Sequence, residues 1–237
     1  MKMKNLIQII FAIIILAGCS ASEEELVSEA RKRMQEGRMG DALPLLENAL
    51  EKNPDNYDAL VLRGVIAFEE SEFEKAEAYF TEAITNDSTD YRAFYNRGNA
   101  RRELENFDAS VQDYSRSIKI DSTIADIYNN RGAVLQKLGF HPQSLEDFNK
   151  AIEINPEYAL AYANKGKSLI ALYRLDEALE ALEVSLNQDP ELPFANFWMG
   201  YAMINKGDKN EGCRLLNRAK NLGFAEAQAA INEYCEK

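Results

Sequence analysis

The chain has 237 residues, of which 46% are hydrophobic and 28% charged, and its formal net charge is −12. Those proportions allow a sizeable core and exclude a protein that crosses a membrane many times. The acidic excess also argues against nucleic acid, whose phosphates it would repel, and against adhesion to anionic lipid through a basic patch.

The first predicted element is a targeting segment over 1–18. Lys2 and Lys4 make a short positive region, and 6–16 is apolar except for Gln8. Such a run is short for a transmembrane helix and suits a secretory signal. Leu16-Ala17-Gly18-Cys19 then resembles the lipobox of bacterial lipoproteins in all four positions. That resemblance implies export, a lipid on Cys19, and a membrane anchor, with 19–22 as the tether. Ser20 stands where some lipoproteins carry an aspartate that retains them in the inner membrane, so the outer membrane is the expected location, on either its periplasmic or its surface face. Ser22 and Glu25 have capping-box spacing, which starts the first helix three residues after Cys19.

From 23 to 226 the sequence repeats with a period of 34. Gly64, Gly98, Gly132, Gly166 and Gly200 recur at that interval without an insertion, and the same frame reaches back to Ala30. A second column holds Ala42, Ala76, Ser110, Ser144, Ala178 and Gly212, and a third Ala49, Ala83, Ser117, Ala151, Ser185 and Ala219. Large residues fill the column between them: Leu46, Phe80, Tyr114, Phe148, Leu182 and Leu216. Spacings of three, four and seven predict two amphipathic helices per unit. Gly37, Ser71, Gly139 and Gly207 break them apart, and Asn53-Pro54, Asn155-Pro156 and Asp189-Pro190 close units. Facing small residues let two antiparallel helices approach, and the large residue fills the space beside them. One hairpin cannot bury its own stripe, so the units must stack.

This pattern resembles the tetratricopeptide repeat family, whose Ala-x3-aromatic-x2-Ala signature reads Ala76-x3-Phe80-x2-Ala83. The likeness covers six units, 23–56, 57–90, 91–124, 125–158, 159–192 and 193–226. It implies an all-α, right-handed superhelical solenoid, with 227–237 adding a C-terminal capping helix. The first unit lacks the glycine and an aromatic, and the sixth has Asn196 and Phe224 where the family has an aromatic and a proline; terminal units are expected to be atypical.

The last turn centres near Gly223-Phe224, with Cys213 eleven residues before Phe224 and Cys235 eleven after. Positions so placed in an antiparallel hairpin lie opposite each other. A disulfide between them is therefore predicted, as suits an exported protein.

Resemblance to the family also places a partner. The second, fifth, sixth and ninth positions of each unit are expected to face the concave groove. Asn96, Asn130 and Asn164 at the sixth form a ladder whose carboxamides could pair with the backbone of an extended peptide. Tyr95, Asn99, Asn129 and Lys167 surround it, with Arg92 and Arg102 toward one end. At the other end Phe194, Phe197, Trp198 and Tyr201 crowd together; Phe194 or Phe197 is expected as an exposed anchor and Trp198 as buried. The basic clamp by which chaperone adaptors hold a terminal carboxylate is missing. Arg97 and Arg131 are expected to pair with Asp113 and Asp147 between helices.

No catalytic constellation stands out. His141 is the single histidine, beside Pro142 at a turn, and neither a metal site, a cofactor loop nor a small-molecule substrate is expected. The expected function is a membrane-tethered scaffold or adaptor for a protein or extended peptide. The alternatives are a structural subunit of an envelope assembly, such as pilus secretin assembly or outer-membrane barrel insertion, and an accessory glycan-binding lipoprotein that uses the aromatic patch.

Overall fold

The computed structural model describes residues 21–236; the targeting segment and Cys19 lie outside them. Among the described residues there are thirteen helices and no strand. Each unit opens with a first helix: α1 (Glu23–Gln35), α3 (Tyr57–Glu69), α5 (Tyr91–Glu103), α7 (Ala125–Lys137), α9 (Ala159–Ala171) and α11 (Pro193–Lys206). The second helices are α2 (Met39–Lys52), α4 (Phe73–Asn86), α6 (Phe107–Ile120), α8 (His141–Ile154), α10 (Leu175–Gln188) and α12 (Lys209–Asn221). A final helix, α13 (Ala227–Tyr234), begins 34 residues after α11 and so keeps the frame. No described helix is long and apolar enough to cross a membrane. The solenoid of helix-turn-helix repeats expected from the periodicity is what the chain forms.

The small columns work by contact. A Cβ placed on Gly64 would meet the Phe80 ring at 2.5 Å, on Gly132 the Phe148 ring at 2.7 Å, and on Gly166 the Cγ of Leu182 at 2.5 Å. In α3, α5, α7 and α9 the glycine thus makes room for the large residue of its own second helix, and those large residues are fully buried. Where the second column carries serine, the hydroxyl gains a bond as well: Ser110 Oγ donates to the Gly98 carbonyl at 2.7 Å. In the third column Ser117 and Ser185 donate to the carbonyls of Tyr91 and Ala159, which open their own units.

The turn inside every hairpin passes through the left-handed region at one column. Gly37, Gly139 and Gly207 occupy it, and so do Ser71, Glu105 and Tyr173, with φ between 58° and 61°. Left-handed backbone crowds a Cβ against the following carbonyl, so Glu105 and Tyr173 are strained where glycine would not be.

The helices gather into two compact units, one ending at Asp87 and one beginning at Ser88. In the first, α1–α4 enclose Leu26, Val27, Leu46, Ala59 and Ile66. Its start is a complete capping box: Glu25 N–H donates to Ser22 Oγ and Ser22 N–H to the Glu25 carboxylate. Asn53 donates to Glu23 within the first hairpin, and Asn86 donates to the Asp55 carbonyl, tying the second hairpin to the first.

In the second, α5–α13 bury Tyr114, Ile127, Phe148, Leu169 and Leu182. Arg97 grips Asp113 with two bonds of 2.9 and 2.8 Å, Arg101 adds a third, and Arg131 grips Asp147 in the same way. The expected pairing of these charges between helices is therefore present within each hairpin. Arg63 has Tyr79 at the aspartate's position and bonds its hydroxyl at 3.3 Å instead.

At the C-terminus Cys213 and Cys235 form the predicted disulfide, with Cα atoms 5.8 Å apart. It fastens α13 over Phe197, Leu216 and Ala219, which pack against Ala227, Ala230 and Ile231.

Candidate functional site

Every groove residue singled out in the sequence falls between 92 and 197, inside the second compact unit. The first helices α5, α7, α9 and α11 carry them, because one face of each is left uncovered by its own second helix. Helical phase decides which positions look out, but the next repeat decides which of those stay uncovered.

The fifth position shows this. Val27, Val61, Asn129, Ala163 and Phe197 are all buried there. Phe197 is only 8% exposed, under α13, with its ring 4.7 Å from that of Phe224. The expectation of an exposed anchor at Phe197 is thus corrected: its position points beneath the following helix. Trp198, expected to be buried, is half-buried and lines a cavity.

The asparagine ladder is also different in kind. Asn164 is 6% exposed and donates to Asn129 Oδ1 at 2.9 Å, and Asn129 is itself 2% exposed. Asn130 donates to the Tyr95 hydroxyl at 3.1 Å and to Asn99 Oδ1 at 3.2 Å, and Tyr114 donates to that same Asn99 oxygen at 2.7 Å. Burial pushes the Tyr95 and Tyr114 phenols up, so both stay neutral, Tyr95 accepting from Asn130 and Tyr114 donating to Asn99. A second chain runs from Gln136 to Ser168 and on to Ser144, with Gln136 also donating to the Asn164 carbonyl. Asn129, Asn130 and Asn164 are therefore members of a self-satisfied network joining α5, α7 and α9, and not free rungs for a peptide. Of the three ladder residues only Asn96, half-exposed, has a side chain that makes no hydrogen bond among the described residues. Nothing in a single repeat marks Gln136 and Ser168 for this network, or gives Ser144 more than its place in the small-residue column, because the bonds run to the next repeat.

Two neighbouring cavities open along the first-helix faces. One of about 380 Å³ is lined by Arg102, Phe107, Lys137, Asn164, Lys167 and Phe194. The other, about 480 Å³, is lined by His141, Lys167, Ile170, Tyr173, Trp198 and Tyr201, among others. Lys167 belongs to both. Its ammonium lies 5.2 Å from the Trp198 ring centre and 5.7 Å from that of Phe194, a cation over two aromatic faces. Burial holds its pKa below that of a free lysine, with Glu226 opposing the shift and Lys137 adding to it. Lys137 stands over Phe107 in the same manner, 4.6 Å from the ring centre. Arg92, by contrast, is folded back on Asp90 and Arg102 on Glu103.

Chemically the arrangement offers apolar walls, half-buried cations and amide edges. Among the described residues no group of three His, Cys, Asp or Glu side chains could hold a metal ion. His141 keeps Nδ1 buried and without a partner, as does Trp198 its Nε1.

Comparison with known proteins agrees with the repeat architecture. Family models described as tetratricopeptide repeats match residues 27–91 and 125–158, and one described as a TPR repeat matches 98–139. Among solved structures, the chain is similar to YrrB, described as a TPR protein with an unusual peptide-binding site, at 23% identity and a TM-score of 0.63, over 79% of this chain and 97% of that one. It is similar to PilF of Pseudomonas aeruginosa at 18% identity and a TM-score of 0.76, over 89% and 97%. MamA matches at 23% identity and a TM-score of 0.63, over 68% and 95%. No curated protein sequence matches.

Proposed function

This chain is built of tetratricopeptide repeats, and on that premise we propose that it is a membrane-tethered scaffold holding a polypeptide partner against the first-helix faces of residues 88–237. The observation that carries the reading is the pair of adjoining cavities that share Lys167. Their walls combine aromatic faces and half-buried cations, which favours a partner with both apolar and polar groups. The peptide-binding site ascribed to YrrB supports the same use of the fold. Repeats of this kind serve as interaction surfaces, and the reading assigns no catalytic step to them.

The tether rests on sequence. Leu16-Ala17-Gly18-Cys19 would place a lipid on Cys19, and α1 begins at Glu23, so little chain separates anchor and first repeat. Acyl chains contribute about 0.8 kcal/mol per buried methylene, and more than one chain gives firm anchoring. An outer-membrane location is part of the proposal.

Two measurements test it. A photoreactive residue at position 96, in cells, should crosslink the chain to one reproducible polypeptide; crosslinks to none would overturn the scaffold. Labelled fatty acid should enter the wild-type protein and not the Cys19→Ser variant. A variant labelled as strongly as wild type would remove the anchor from the proposal.

A further inference from the structure

Within that scaffold reading, we propose that the cavity between α9 and α11 is an anchor pocket for one large apolar or aromatic side chain of the partner, and that Lys167 at its edge selects an acidic residue beside that anchor. Three independent observations support this.

Tyr173 is the first. It occupies the left-handed turn column, φ 60°, and is 90% exposed. Such a conformation costs any residue with a Cβ, and an aromatic ring in water recovers nothing by packing. Yet this ring stands at the rim of the cavity. The left-handed turn is shared with Ser71 and Glu105, so what sets Tyr173 apart is the solvated aromatic ring itself, placed where a ligand in the pocket would cover it.

Lys167 is the second. No carboxylate among the described residues comes within 4 Å of it, although the chain carries a net charge of −12. A half-desolvated ammonium held over two rings gains most from a carboxylate brought into the same dry surroundings. The overall negative charge repels a uniformly acidic partner, so the group recognised is a single acidic residue in a segment otherwise apolar or basic.

The third is the shape and lining of the cavity. Its volume of about 480 Å³ lies in the range of built binding pockets. Ile170, Trp198 and Tyr201 give it apolar walls. Lys167 lies over one face of Trp198, and Phe197 and Tyr201 meet the indole edge to face.

The test is a peptide array in which every residue type at one position is paired with every type at the next, in a glycine-serine background, probed with the full chain. Retention should be strongest for Phe, Trp, Leu or Met beside Asp or Glu. Lys167→Glu should shift the preferred neighbour to Lys or Arg, changing the ratio of acidic to basic retention by about tenfold. Tyr173→Gly should weaken retention several-fold while leaving the melting temperature unchanged or higher, an outcome that a purely structural role for Tyr173 does not give. A charge preference unmoved by Lys167→Glu, or retention indifferent to Tyr173→Gly, would sink the anchor pocket while leaving the scaffold intact. If no peptide is retained and position 96 crosslinks no polypeptide, both ideas fail together.

Discussion

Gly200 and Gly212 face each other across the last hairpin at a distance that only two glycines permit. A Cβ on Gly200 would stand 2.8 Å from the Gly212 carbonyl oxygen, and one on Gly212 would stand 2.7 Å from the Gly200 carbonyl oxygen. The obstacle is backbone in both directions, so no side-chain rotation relieves it. Gly200→Ala should therefore destabilise the second compact unit by about 2–3 kcal/mol, seen as a fall of several degrees in a circular-dichroism melt. Gly40→Ala, at an exposed helical site with nothing within 4 Å, should leave the melt unchanged or raise it slightly. Equal melts for the two variants would contradict the close approach.

Glu105 offers the opposite experiment. It holds the left-handed turn between α5 and α6 with φ 58°. Replacing it with glycine relieves about 1–2 kcal/mol of strain and gives back part of that through the greater freedom of the unfolded chain. The expected result is a net gain of up to about 1 kcal/mol in urea denaturation. Glu105→Val should be clearly worse than wild type, because branching at Cβ aggravates the same clash.

The disulfide should matter to the end of the chain more than to its middle. Cys213 and Cys235 are 22 residues apart, and closing a loop of that length restricts the unfolded ensemble by about 3 kcal/mol. Reductant, or Cys213→Ser with Cys235→Ser, should raise hydrogen exchange first in α13 and around Phe197. The amides of α7 and α9 should respond least. Uniform loss of protection would show that the bridge supports the whole unit and not its cap.

The Asp113 side chain is 5% exposed and accepts from both Arg97 and Arg101. It is a buried carboxylate shared by two guanidinium groups. Asp113→Ala removes that carboxylate from two largely buried cations and should cost about 3–5 kcal/mol. Glu153→Ala breaks an exposed pair with Lys150 and should stay within about 1 kcal/mol of wild type. Chemical denaturation of the two variants side by side checks the contrast.

The repeat frame was legible because close packing leaves a strict residue pattern. Gly64 must be small for Phe80 to fit, and that demand returns every 34 residues. The Cys213–Cys235 bridge was legible for a related reason, since equal spacing about a turn puts two residues side by side. The site was harder to read. Asn129, Asn164 and Phe197 stand at positions whose helical phase points outward from their own hairpin, and only the neighbouring helix turns them into buried groups. Tyr173 gave no composition signal for a left-handed turn, although its column, shared with Gly139 and Gly207, already contained one.

A stack of equivalent hairpins has no natural stopping point, since each exposed end resembles the surface the next copy would cover. Here α13 covers the exposed side of the sixth hairpin. Ala227, Ala230 and Ile231 face inward, while Gln228, Asn232 and Glu233 meet solvent. With that polar face held outward by the Cys213–Cys235 bond, the apolar side of the sixth hairpin is withheld from a second copy of the chain.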